Sequence, residues 1–247
     1  FFDVNCRIGH YCRHPLRFDD IPSLKAAMTE NFIKKAVVYH NMGAAYSAVR
    51  GNECIAAETA GDGSLYPCFT LIPDSCGEID LKGQFHMMGK SNVKFLRLFP
   101  KTCNFAMRDW QLASVFEYLE KTHTILLLGF GEVTTDDICY LCERFTFPVV
   151  LTEVKFWFNR IYYALAGRYT NLYLETSWLI EGNAVNLFCE KVGARQLIYG
   201  SYMPHNEPYH SMGALIYSRI SGEEKEMIAH GNLENLVQSV REAEVWK

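Results

Sequence analysis

Asn5 and Arg7 sit two positions apart at the end of the first apolar run, FFDVNCRIG. On a strand, that spacing sends both side chains to one face and Phe2, Val4 and Cys6 to the other. An amide and a guanidinium aimed together suit a planar anion, because the guanidinium fork matches a carboxylate at two points. Arg97, in VKFLRLFP, is a second such cation. It is open either to a substrate carboxylate or phosphate, or to an internal pair with Glu153 or Glu175. Glu153, in FPVVLTEVKF, can move a proton or pair with an arginine. Tyr202 and His205, in GSYMPHNEPYH, supply a hydrogen-bond donor and a second candidate for proton transfer. His40 ends the run KAVVYH and adds a polar group for binding. His10, His14 and His210 complete a set of histidines open to acid–base work, to a metal site or to plain loop polarity.

Eight β-branched or aromatic runs can position these residues: 1–6, 35–40, 65–72, 93–99, 124–129, 147–154, 171–176 and 195–200. Helical periodicity fills five of the intervals, at 21–33, 107–122, 134–145, 156–169 and 182–194. Strands alternating with helices imply βαβ units and a parallel sheet. Eight such units in 247 residues predict one domain over 1–247, a (β/α)8 TIM barrel. In that fold, chemistry gathers at the C-terminal ends of strands, where the residues named above fall. Ser221 and Glu224 predict a capping box at the last helix, and Gly231 predicts its stop.

Composition excludes several classes. With 24 basic and 28 acidic residues and no basic run, the chain offers no nucleic-acid footprint and no polybasic membrane anchor. The longest apolar stretch, TILLLGFG, is far short of a membrane span, and no leader is read at the start. The nine cysteines are odd in number and lie mostly inside apolar runs, which reads as reduced thiols in the cytoplasm. Cys139 and Cys142 form a C-x-x-C without a second pair, so packing is preferred over a metal. The G-x-G of LLLGFGEVTTDD lacks a third glycine and is followed by acids that repel phosphate. Small residues at a crowded barrel mouth are the better reading there, with Thr134 or Thr135 capping the next helix. The aromatics of KFWFNRIYYALAGRY read first as core; a lid or the face of a homo-oligomer is the other option.

The chain resembles the amidohydrolase superfamily, in its amidohydrolase-related branch. Members open on D-x-H-x-H-x-G; DVNCRIG keeps Asp3 and Gly9 and puts Asn5 and Arg7 at the histidines. Members close on G-[ST]-D-x-P; GSYMP keeps Gly200, Ser201 and Pro204 and puts Tyr202 at the aspartate. The histidines expected after strands 5 and 6 fall at Gly129 and Glu153, and SGEEKEMIAHGNLENLV is similar to the terminal helix, with Asn232 retained. The resemblance spans the chain and implies the barrel. It also implies a divalent metal in members whose ligands are intact. Here Glu153 alone is a credible ligand, so no metal is expected at that place and no cofactor is read. Arg7 is expected to supply the positive charge instead, paired with Glu153.

The expected function is a metal-independent hydrolase or lyase of a small anionic carbonyl compound. Arg7, Arg97, Asn5 and His40 would bind it, and Glu153, His205 and Tyr202 would act on it. The alternatives are a non-catalytic relative that binds a small ligand or a protein, and a metal hydrolase with a relocated histidine site.

Overall fold

A computed structural model describes residues 1–241 apart from 76, 78 and 182. Its eight strands are β1 (Phe2–Ile8), β2 (Lys35–His40), β3 (Leu65–Thr70), β4 (Phe95–Leu98), β5 (Ile125–Gly129), β6 (Val149–Thr152), β7 (Leu172–Glu175) and β8 (Leu197–Ile198). They lie in sequence order, each parallel to the next, as right-handed βαβ crossovers demand. The helices between them are α1 (Ile21–Glu30), α2 (Met42–Ala45), α3 (Ala48–Glu58), α4 (Leu81–Lys90), α5 (Asp109–Thr122), α6 (Thr135–Arg144), α7 (Asn159–Arg168) and α8 (Ala184–Lys191). After β8 come α9 (Pro208–Ile216), α10 (Gly222–Glu226) and α11 (Asn232–Ser239). The barrel predicted from the sequence is therefore the fold observed. The periodicity missed α3 and α4, whose glycines interrupt the apolar pattern.

Seven parallel ladders join β1 through β8. The ring is completed between β1 and the end of β8 by separate bonds. Val4 N–H donates to the Tyr199 carbonyl at 3.1 Å and Arg7 N–H to the Met203 carbonyl at 3.0 Å. One apolar cluster, including Phe2, Val4, Val37, Phe95 and Val150, fills the barrel. Leu233, Leu236 and Val237 of α11 join it and close one end. A second, larger cluster lies between the strands and the outer helices.

β1 departs from simple alternation. Asp3 pairs with Ala36 and Cys6 with Val38, so β1 carries one residue more than β2 over this stretch. This bulge reverses the inside–outside order of the strand. Phe2 and Val4 lie in the inner cluster, whereas Cys6 and Ile8 lie in the outer one. Cys6 therefore does not share a face with Val4, contrary to the alternation read from the sequence. The Asp3 carboxylate pins the bulge, its Oδ1 accepting from the Asn5 and Ser201 N–H groups at 3.0 Å each.

The capping box at Ser221 forms as predicted, and of the two threonines read as caps it is Thr134 that caps α6, in a box with Asp137. The helix does not stop at Gly231. That residue keeps a helical φ of -58°, and a π-helical turn over Met227–Gly231 carries the chain from α10 into α11. The Asn232 amide then donates to the Ala194 and Leu197 carbonyls, tying α11 to β8.

Candidate active site

The barrel mouth holds a cavity of about 360 Å³ lined by Arg7, Arg13, Tyr39, Arg97, Glu153 and Tyr202, among others. The bulge and the strand registers place these side chains. Arg7 lies opposite Tyr39 in the β1–β2 ladder, and Gly129 lies opposite Thr152 in the β5–β6 ladder. Glu153 and Tyr202, one residue past β6 and four past β8, both have left-handed backbones, with φ of 64° and 63°. Non-glycine residues rarely hold this conformation, and it concentrates at functional sites.

Arg97 is 2% exposed and is bonded through both terminal nitrogens, its Nε being without a partner among the described residues. Its guanidinium donates to Asn5 Oδ1 at 2.8 Å, Thr152 Oγ1 at 3.1 Å and Glu153 Oε1 at 2.5 Å. Arg97 therefore takes the internal pair rather than presenting a free fork. Glu153 Oε2 has no hydrogen-bond partner among the described residues.

Arg7 differs. It is 5% exposed, yet no carboxylate among the described residues lies within ion-pair distance, and its Nε has no partner. The pair expected between Arg7 and Glu153 does not form, because the Arg97 side chain reaches Glu153 first. Arg7 rests on aromatic faces instead, 4.4 Å from the Tyr202 ring centre, 5.5 Å from that of Tyr39 and 5.6 Å from that of Tyr11. Such contacts compensate a buried cation only in part.

Behind this layer, Glu175 is fully buried. Its Oε2 accepts from the Glu153 N–H at 3.1 Å, Ser177 Oγ at 2.8 Å and Asn5 Nδ2 at 3.4 Å, and its Oε1 accepts from the Ser177 N–H at 2.6 Å. Burial pushes its carboxyl up to about 7. Gly200 makes the room, since a Cβ there would stand 2.3 Å from Glu175 Oε1. Asn5 thus bridges Arg97 and Glu175 instead of lining the cavity.

Two residues read from the sequence stand elsewhere. His205 is not on the cavity wall; it stacks behind Tyr202 at 4.9 Å and meets Tyr11 and His14 edge to face. Burial, with the charges of Arg7 and His14, pushes its imidazole down to about 4, and its Nε2 has no partner. His40 also stays off the wall. Its Nδ1 accepts from the Met42 N–H at 3.1 Å, and its ring fills the space a Cβ on Gly9 would need. Alternation on β2 sends Val37 and Tyr39 inward, so Tyr39 takes the place read for His40. Tyr39, Tyr11, Arg13 and Thr152 were missed. Parity with Val37 marks Tyr39; Tyr11 and Arg13 lie on a loop without periodicity.

A divalent metal does not fit these residues. Of the positions where the resemblance places ligands, Glu153 alone is anionic, and Arg97 holds one of its oxygens. A side chain at Gly129 would begin 3.7 Å from both Arg97 Nη2 and Glu153 Oε2, so a guanidinium stands where a ligand would reach. Among the described residues, no group of three or more His, Cys, Asp or Glu side chains is placed to hold a metal, which removes support for a relocated histidine site. Cys139 and Cys142 are free and pack against or within the outer cluster.

No protein-family model matches the chain, and no curated protein is significantly similar to it. Solved structures are similar in fold. A 5-carboxyvanillate decarboxylase from Sphingomonas paucimobilis superposes with a TM-score of 0.76 at 14% identity, covering 96% of this chain and 98% of the other. A probable 2-pyrone-4,6-dicarboxylic acid hydrolase from Acinetobacter baumannii, with citric acid bound, gives 0.71 at 13% identity over 96% and 98%. A dihydroxybenzoic acid decarboxylase from Polaromonas sp., with manganese and an inhibitor bound, gives 0.73 at 14% identity over 96% of each chain. No helix among the described residues is long and apolar enough to cross a membrane.

Proposed function

We propose that this chain, which has the barrel fold of amidohydrolase-superfamily structures, takes a small carboxylate-bearing carbonyl compound into its mouth and acts on it as a metal-independent hydrolase or lyase. One observation carries this reading: the guanidinium of Arg7 lies on the cavity wall, 5% exposed and without an anionic partner among the described residues. A buried fork of that kind is matched by a carboxylate. Arg13 adds positive charge to the wall. Both oxygens of Glu132, the other carboxylate on the wall, accept from Thr102, whereas Glu153 Oε2 is free of the Arg97 bond and can serve as base. Tyr202 is the donor beside it, its phenol kept protonated by burial. The similar structures named for aromatic acids and a dicarboxylic acid agree with such a ligand.

A thermal-shift series with acetate, benzoate, succinate and phthalate tests the binding. Stabilisation of the parent and not of Arg7→Met supports it; no stabilisation by any of them, or equal stabilisation of both proteins, rejects it. Bond cleavage is read by NMR on carbonyl compounds related to the anions that bind. The second reading, a non-catalytic binding protein, draws on the Arg97 bond to Glu153, which occupies half of the only carboxylate read as a base. Binding without turnover by any such compound would favour it.

A further inference from the structure

Beyond the cavity wall, three ionisable groups form one connected unit and a fourth faces it. Glu153 pairs with Arg97, Arg97 holds the Asn5 carbonyl, and the Asn5 amide and the Glu153 N–H both end on Glu175 Oε2. Arg7 faces the same cavity as Arg97 and Glu153. With Arg7, Arg97, Glu153 and Glu175 ionised, two guanidiniums balance two carboxylates, while Arg13 and Glu132 on the same wall offset each other and Asp3 behind adds only negative charge. An anion docking on Arg7 therefore leaves a buried unit with surplus negative charge, which is costly away from water. A proton taken up by one of the carboxylates removes the surplus.

Glu175 is built to receive that proton. Glu153 is bonded directly to a cation; Glu175 touches none, reaching Arg97 only through the Asn5 amide. Of the groups donating to Glu175, the two backbone N–H groups and the Asn5 amide nitrogen cannot accept a hydrogen bond. The Ser177 hydroxyl can turn round and do so. Other titratable groups surround it. Asp3 and Cys6 on β1 and Tyr199 beyond β8 act on it electrostatically. Burial raises all three, so the thiol and the phenol stay neutral and Asp3 adds to the repulsion. His205, on the far side of Tyr202, is the remaining group whose protonation an anion near Arg7 would favour.

We infer that a carboxylate entering this cavity is taken up together with a proton, which Glu175 receives from solvent and shares with the Ser177 hydroxyl. The inference rests on the reading of the cavity as a carboxylate site. It adds that occupancy and the charge of Glu175 are coupled, each favouring the other. Affinity for the anion then falls as pH rises through the Glu175 titration.

Isothermal titration of whichever of benzoate and succinate binds, repeated in imidazole and Tris buffers near neutral pH, counts the protons. The expected uptake lies between about half a proton and one proton per anion and grows as pH is raised. In Glu175→Gln, binding persists and the uptake vanishes. Should that variant fold poorly, Ser177→Ala reads the same coupling and is expected to reduce the uptake. Binding without uptake in the parent overturns the inference and leaves the carboxylate site standing. Uptake that survives in Glu175→Gln and disappears in His205→Gln overturns it in favour of the imidazole. No binding by either anion overturns the site and the coupling together.

Discussion

At the scale of single residues, the two inward arginines have opposite energetics. Removing the partner of a buried pair leaves a charge behind and is expensive. Glu153→Gln is accordingly expected to lower stability by about 2 kcal/mol in urea denaturation, the remaining Asn5 and Thr152 bonds to Arg97 limiting the loss. Arg7 has no such partner to lose. Arg7→Met is expected to match or exceed the parent in the same experiment, because an unpaired guanidinium gives way to an apolar chain against tyrosine rings. A destabilised Arg7→Met would mean that its aromatic contacts outweigh its desolvation. The sequence showed which residue types converge here and left the Arg97–Glu153 pair open as one option, but it expected Glu153 to pair with Arg7. Arg7 and Arg97 are equivalent by type; register alone decides which one meets Glu153.

At the scale of elements, the site depends on where side chains are missing as much as on where they stand. Gly200 passes so close to Glu175 that Gly200→Ala forces the carboxylate out of its nest of donors. A loss of about 3 kcal/mol or more is expected by thermal or urea unfolding, the upper end for overpacking, because buried hydrogen bonds go with the space. Stability within error of the parent would show that β7 and β8 can separate at little cost. The strands themselves were legible because parallel, doubly covered strands read as apolar runs. The bulge in β1 was not, since the extra residue leaves no mark on composition. α3 and α4 were obscured by Gly51, Gly83 and Gly89. Gly231 misled in the other direction, a glycine that signals a stop by type and lies in a continuous helix by conformation.

For the molecule as a whole, a buried carboxyl and a half-buried imidazole pull the pH dependence of stability in opposite directions. The folded Glu175 carboxyl is raised from 4.5 to about 7, so the native state holds a proton that the unfolded chain has released. Its contribution is therefore present at low pH and lost as pH rises across that range, to a total of about 3 kcal/mol. His205 is lowered from 6.5 to about 4, so over the overlapping range the native state holds fewer protons than the unfolded chain, and its contribution grows as pH rises. In the parent these two contributions offset each other. Glu175→Gln should gain stability with rising pH and His205→Gln should lose it, as read by urea midpoints at several pH values. Parallel curves for all three proteins would rule out both assignments.

The join between β1 and β8 has a mechanical consequence. Seven ladders hold the other strands, while this one is stitched by the Val4 and Arg7 amides and by Asp3 across to Ser201. A hoop parts at its stitching. Amide hydrogens of Val4 and Arg7 should therefore exchange with deuterium sooner than those of Leu126 or Leu128, deep in the β4–β5–β6 ladders. Arg7 hangs from that stitching, so a brief parting of the hoop would swing the unpaired cation along with it, and the wall proposed to greet an anion is also the wall expected to open most easily.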